Sequence, residues 1–173
     1  MGSPGELLGL RWQDVDFEED TLQLNKTLQR VDGQLVLDDT KTEASDSTVP
    51  LPAITKRALR AHRDQQERER AVAREVWSNE HGLVFTTEIG TPIDPRNFNR
   101  HFAATRNRAE LPNVRLHDMR HTVVSLLLAL KTPPHVVQAI ARHADIDVTM
   151  TIYAHTDLAA MREALAQIDW ENA

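Results

Sequence analysis

The residues best suited to chemistry lie in the last third of the chain. The densest group is Leu116-His117-Asp118-Met119-Arg120-His121-Thr122. On a helix, His117 and Arg120 share one face at i and i+3, placing an imidazole that handles protons near neutral pH beside a fixed cation. An arginine suits a phosphodiester because its planar fork donates two parallel hydrogen bonds and keeps its charge. Next comes Ala141-Arg142-His143, and ten residues after His143 stands Tyr153, the only tyrosine in the chain, within Thr151-Ile152-Tyr153-Ala154-His155. A phenol can serve as a covalent nucleophile, but with a reference pKa of about 10 it needs cations or a proton acceptor nearby. Far upstream, Lys41 falls in a connection between two expected strands.

Taken singly, each of these residues has a plainer explanation. Tyr153 reads as a packing residue with its hydroxyl at the surface, Lys41 as a solvated loop lysine, and His117 beside Arg120 as an ordinary pair at the edge of a core. His117 and His121, four apart, also match the spacing of a zinc-protease helix. Asp118, however, stands where such motifs place a glutamate, and no third ligand suggests itself. His155 reads as structural or phosphate-side support.

The elements that must position these groups follow from local pattern. Ser3-Pro4-Gly5-Glu6 is a helix start, with Ser3 as N-cap, Pro4 in the first turn and Glu6 closing a capping box; the helix is expected to end near Trp12. Thr21-Leu22-Gln23-Leu24 alternates as a strand does, the Asp32-Gly33 pair favours a tight hairpin turn, and Leu35-Val36-Leu37 and Ser47 to Leu51 supply two more strands. These predict a small three-stranded antiparallel sheet, with Lys41 between its second and third strands. Residues 54 to 76 are dense in good helix formers. Leu83-Val84-Phe85 is a brief extended piece before a turn at Gly90-Thr91-Pro92, and Asp94-Pro95 opens a basic helix through Arg106. Helices are expected over His117–Leu130, Pro134–Arg142, Val148–His155 and Leu158–Ile168, the last with a stripe of Leu158, Met161, Leu165 and Ile168. The fold class is α+β, mostly α, in a single domain.

Composition narrows the function. The chain has 173 residues, a formal charge of −6 and no cysteine, which excludes disulfides, thiolate metal sites and cysteine nucleophiles. No apolar run approaches the roughly 18 to 20 residues that span a bilayer, and there is no signal-peptide layout, so a soluble cytoplasmic protein is expected. The negative charge opposes whole-surface attraction to nucleic acid. It is unevenly spread, though: the stretches from Phe17 to Asp20 and from Asp38 to Asp46 are acidic, whereas Arg96, Arg100, Arg106 and Arg108, with His101, make one strongly basic segment suited to phosphate.

In order and spacing these motifs resemble the tyrosine site-specific recombinases, and specifically the actinobacterial phage-integrase branch. Gly5-Glu6-Leu7-Leu8-Gly9-Leu10-Arg11-Trp12 is similar to that family's first box. Lys41-Thr42 with Thr48-Val49-Pro50-Leu51-Pro52 is similar to its catalytic hairpin, and His117-Asp118-Met119-Arg120-His121-Thr122 to its His-x-x-Arg box. Arg142-His143 and Tyr153 fall where its second histidine and nucleophile belong. The resemblance implies a helical integrase catalytic domain that breaks and rejoins DNA without metal or nucleotide cofactor. Tyr153 is then the nucleophile, Arg120 and His143 stabilise the non-bridging oxygens, His117 assists proton handling and Lys41 protonates the leaving 5′ oxygen. Arg96, Arg100, Arg106, Arg108, Arg115 and Arg142 are the expected DNA contacts. The partner is a double-stranded attachment site, bound as a homotetramer, with the protein a monomer or weak oligomer alone and the 156–173 helix either exchanged between protomers or folded back on its own core. The family's N-terminal DNA-clamping domain is not expected in this chain.

Three departures stand out. The arginine that the family carries two residues before Gly5-Glu6 is Ser3 here, and Arg11 matches a separate, non-catalytic position. Met1-Gly2-Ser3 reads either as a cloning remnant that overwrote the arginine or as the mark of an inactive integrase. Glu43, Asp46 and Ser47 occupy positions where relatives carry DNA-approaching arginines, and carboxylates repel phosphate. Arg142 replaces the glycine usual before the second histidine.

Overall fold

A computed structural model describes residues 3–40, 47–116 and 118–142. The chain divides into two compact units, Met1–Arg120 and His121–Ala173.

The first unit opens with helix α1, Pro4–Leu8, whose start is as the sequence predicts. The Ser3 hydroxyl accepts from the Glu6 amide at 3.2 Å, and the Glu6 carboxylate accepts from the Ser3 amide at 2.6 Å. The helix is shorter than predicted. It stops at Leu8, Gly9 caps it, and a separate 3₁₀ turn forms at Trp12–Asp14. Close packing explains the two glycines: a Cβ on Gly5 would lie 2.8 Å from the carbonyl oxygen of Leu28, and one on Gly9 would lie 2.9 Å from that of Lys26. The helix therefore lies directly on the backbone of a strand.

That strand has no counterpart among the predicted elements. Thr21–Leu24 (β2) pairs antiparallel with Val15–Asp16 (β1) on one side and Ser47–Pro50 (β5) on the other, giving the three-stranded sheet. Leu35-Val36-Leu37, expected in that sheet, belongs instead to a separate hairpin of Lys26–Val31 (β3) and Gln34–Asp39 (β4). Turn geometry is the reason. Asp32 and Gly33 both take positive φ, 46° and 84°, as a type I′ turn requires. A two-residue turn pairs Val31 with Gln34 and hence Leu28 with Leu37, so the partner of the Leu35 stretch is 28–30 and not 21–24. The pattern of β3 is weak because Leu28 is its one strongly apolar inward position.

Helix α2, Ala53–Ala73, covers the sheet and continues into a 3₁₀ turn at Arg74–Val76. Leu10, Val15, Leu24, Leu51, Leu59 and Val84 form the core beneath it. The face of α2 is polar further along. Buried Gln66 accepts from the Trp12 indole N–H at 2.7 Å and donates to the Val84 carbonyl at 3.0 Å and the Thr86 hydroxyl at 2.9 Å. Its amide is satisfied at both ends, which is why a glutamine is tolerated there. Helix α3, Pro95–Arg108, starts at Asp94 and Pro95 as predicted, with the Asp94 carboxylate accepting from the Arg96 amide at 2.8 Å, and runs slightly beyond the expected end.

Helix α4, Asp118–Ala129, continues across the boundary between the units, and helix α5, Pro134–Ala141, belongs to the second. Within the second unit Val124, Leu128, Val137 and Ala141 pack together with Leu127. The helices predicted over Val148–His155 and Leu158–Ile168 lie outside the described residues. Among the described residues no helix is long and apolar enough to cross a membrane.

Candidate active site

Of the five residues proposed for chemistry, Arg120 is described. Lys41, His117, His143 and Tyr153 lie outside the described residues. Arg120 sits half-buried in the first turn of α4. The start of that helix is held by a reciprocal clip. Asp118 accepts from the backbone N–H of Arg115 at 2.8 Å and from its guanidinium at 2.9 and 3.1 Å, while the Asp118 amide donates to the Arg115 carbonyl at 3.0 Å. The pair holds the start of α4, two residues before Arg120. Hydrogen bonding to Asp118 raises the Arg115 pKa still further, so its charge is permanent.

The cations assigned to DNA differ in their surroundings. At 100° per residue, Arg96, Arg100, His101 and Arg108 fall on the outer side of α3, and all four are exposed. Arg106 falls on the packed side, half-buried, and donates to the Val114 carbonyl at 2.9 Å. Its nearer task is to hold the loop that leads into α4. Arg115 is committed to Asp118 through an ion pair of 2.9 Å, with its own side chain 80% exposed. Arg142 is the C-cap of α5, at φ 56° and ψ 44°, the left-handed region. The family's usual glycine at this position thus has a backbone reason, since a Cβ is disfavoured there.

The first box is explained almost entirely by structure. Leu8 and Leu10 are buried, and Gly5 and Gly9 allow contact with β3. Arg11 makes a two-pronged ion pair with Asp14 at 2.7 and 2.8 Å, and also reaches Asn25 at 3.3 Å. Arg11 is therefore engaged within the domain, while Ser3 spends its hydroxyl on capping α1. His121, considered as a zinc ligand, is exposed, and among the described residues no group of three or more His, Asp or Glu is placed to hold a metal.

A family model described as the phage integrase family matches residues 4–159. The chain belongs to the phage integrase family. A tyrosine recombinase XerC-like protein of Caldanaerobacter subterraneus subsp. tengcongensis is 34% identical over 165 residues, covering 87% of this integrase-family chain and 41% of that protein. An integrase of Streptomyces ambofaciens is 35% identical over 118 residues, 66% of the chain and 30% of that protein. The chain thus spans less than half the length of these relatives. A Tn1549 transposon integrase solved in complex with transposon right end DNA shares the fold with a TM-score of 0.81, at 21% identity over 96% of this chain and 55% of that one. The fold is that of a tyrosine recombinase catalytic domain. The family was foreseen from the sequence, but not Arg30, which reaches Asp94 at 2.6 Å from 64 residues away. A contact that distant leaves no local signal.

Proposed function

We propose that this chain is the catalytic domain of a DNA strand-exchange enzyme, acting on double-stranded attachment sites in the cytoplasm. The phenol oxygen of Tyr153 attacks the scissile phosphorus. A 3′-phosphotyrosyl bond forms as the bond to the 5′ oxygen breaks, and Lys41 gives that oxygen its proton. The freed 5′-hydroxyl of the partner strand then attacks the phosphotyrosine, releases Tyr153 and rejoins the DNA. Arg120 and His143 hold charge on the non-bridging oxygens and His117 handles the proton from the phenol. Fixed donors of this kind stabilise charge that develops in the transition state. The exposed arginines Arg96, Arg100, Arg108 and Arg115, with the half-buried Arg106 and Arg142, bind the backbone. A homotetramer on DNA is the assembly proposed, with residues 156–173 exchanged between protomers.

The observation that carries this reading is the family match over residues 4–159, a range that includes Lys41, His117, Arg120, His143 and Tyr153, whose roles rest on the resemblance. The Tn1549 integrase and a XerH recombinase of the same fold were solved on DNA. Ser3 favours one competing reading, an integrase remnant that binds DNA or protein without cutting. Its hydroxyl is committed to the α1 cap, where the family places a phosphate-gripping arginine.

A nicked suicide duplex carrying the attachment core separates the two. Ser3→Arg is expected to raise covalent protein–DNA adduct formation on the order of 10²–10³-fold, the worth of one transition-state donor. Absence of adduct from both the Ser3 protein and its Ser3→Arg variant, although the duplex is bound, supports the remnant.

A further inference from the structure

We propose that Arg30 and Asp94 form a latch between the tip of the β3–β4 hairpin and the N-terminus of α3, and that DNA cleavage depends on this pair although neither side chain meets the reacting atoms. The proposal rests on the recombinase reading above. The hairpin lies outside the three-stranded sheet, so sheet pairing does not tie it to the rest of the first unit. Its base is fastened: Gly9 presses on the Lys26 backbone, the Thr40 amide donates to the Asn25 carbonyl at 3.0 Å, and Arg11 holds the Asn25 side chain. Among the described residues its tip has no such packing: Val31, Asp32 and Gly33 are exposed, and no described atom lies within 4 Å of where a Gly33 Cβ would stand.

One guanidinium supplies the missing attachment. Arg30 donates from Nη2 and Nε to Oδ2 of Asp94 at 2.6 and 3.1 Å, and from Nη1 to the carbonyl of Gly33 in its own turn. The Asp94 carboxylate divides its work. Oδ1 caps α3 through the Arg96 amide while Oδ2 takes Arg30, and the amide first and Arg30 second hold its pKa below the ordinary value. The elements joined are those the proposed chemistry needs in register. β4 ends at Asp39, one residue before Thr40 and two before Lys41, and α3 carries the outward arginines Arg96, Arg100 and Arg108. A two-stranded hairpin alone is marginally stable. Released at its tip, it would pivot about its base and misplace the point from which the chain reaches Lys41, leaving the arginines of α3 as they were. Arg30 and Asp94 are positioning residues in this account. The ion pair is partly exposed, with side chains 36% and 15% accessible, so its loss should not unfold the domain.

The capping oxygen makes a clean test available, because asparagine caps a helix as well as aspartate does. In the Ser3→Arg protein, we would compare Arg30→Met, Asp94→Asn and the double variant for single-turnover adduct formation on the nicked duplex, for affinity for that duplex, and for Tm. Each single change is expected to slow adduct formation about tenfold, since small displacements of a reacting group cost up to about 10²-fold. The double variant should be no slower than either single, affinity and Tm should hold, and Arg30→Lys should recover part of the rate. Parental rates in the singles, effects that multiply in the double, or a rate loss matched by lost affinity would overturn the latch. Should the Ser3→Arg parent form no adduct, it is the recombinase reading that fails. Hydrogen exchange then decides the latch: Asp94→Asn should speed exchange at Arg30–Leu35 and leave Lys26–Leu28 unchanged, and unaltered exchange at the tip contradicts it.

Discussion

Arg142 shows how one side chain can be placed against the preference of its backbone. Its left-handed conformation at the end of α5 is one that a glycine adopts freely. Comparing Arg142→Gly with Arg142→Ala removes the same side chain in both and isolates that preference. The glycine variant should be the more stable by about 1 kcal/mol in denaturant unfolding. Equal stabilities would mean that α5 ends differently in solution. The sequence alone marked Arg142 as a departure from the family pattern, but the reason for the family's glycine became visible only as a dihedral angle.

At the scale of elements, α1 and the β3–β4 hairpin form one close-packed piece. Gly9→Ala would push a methyl group into the Lys26 backbone, which cannot rotate away as a side chain could. A loss of about 1–3 kcal/mol is expected from such overpacking, measured by denaturant unfolding. The ion pairs of these elements respond to acid. Asp39 is held below the usual carboxylate range, first by the hydrogen bond from Lys26, and Asp94 first by the Arg96 amide. Because the folded chain then binds a proton less readily than the unfolded one, their stabilisation is complete above the unfolded value of about 3.9 and is lost as pH falls through the lower folded values. Tm should therefore be insensitive to these groups down to about pH 5 and fall below about pH 4. Much of this scale was legible in sequence. The Ser3 capping box, the Asp32-Gly33 turn, and the Asp94-Pro95 start of α3 all depend on neighbours within a few residues, and all form as predicted. What escaped was β3, whose pattern was weak, and the Arg30–Asp94 pair, which only the folded chain brings together.

For the molecule as a whole, charge is the apparent obstacle to a DNA-acting role, since the net value is −6. The structure supports a local answer, with Arg96, Arg100 and Arg108 on the exposed side of α3 and Arg106 turned inward. Replacing each outward arginine with glutamine should lower the slope of log affinity against log salt by about 1, whatever the DNA sequence. Arg106→Gln should act mainly on stability. The family was legible because its boxes are contiguous stretches in a fixed order. The geometry of the proposed site was not, because its residues are dispersed along the chain from position 41 to position 153. In the function proposed, Tyr153 becomes covalently joined to DNA, which peptide mapping of the Ser3→Arg protein after reaction with the nicked duplex and nuclease trimming would detect. A nucleotide-bearing peptide that contains Tyr153 and disappears in Tyr153→Phe is expected. A DNA adduct on any other residue, or one that persists without Tyr153, would contradict it.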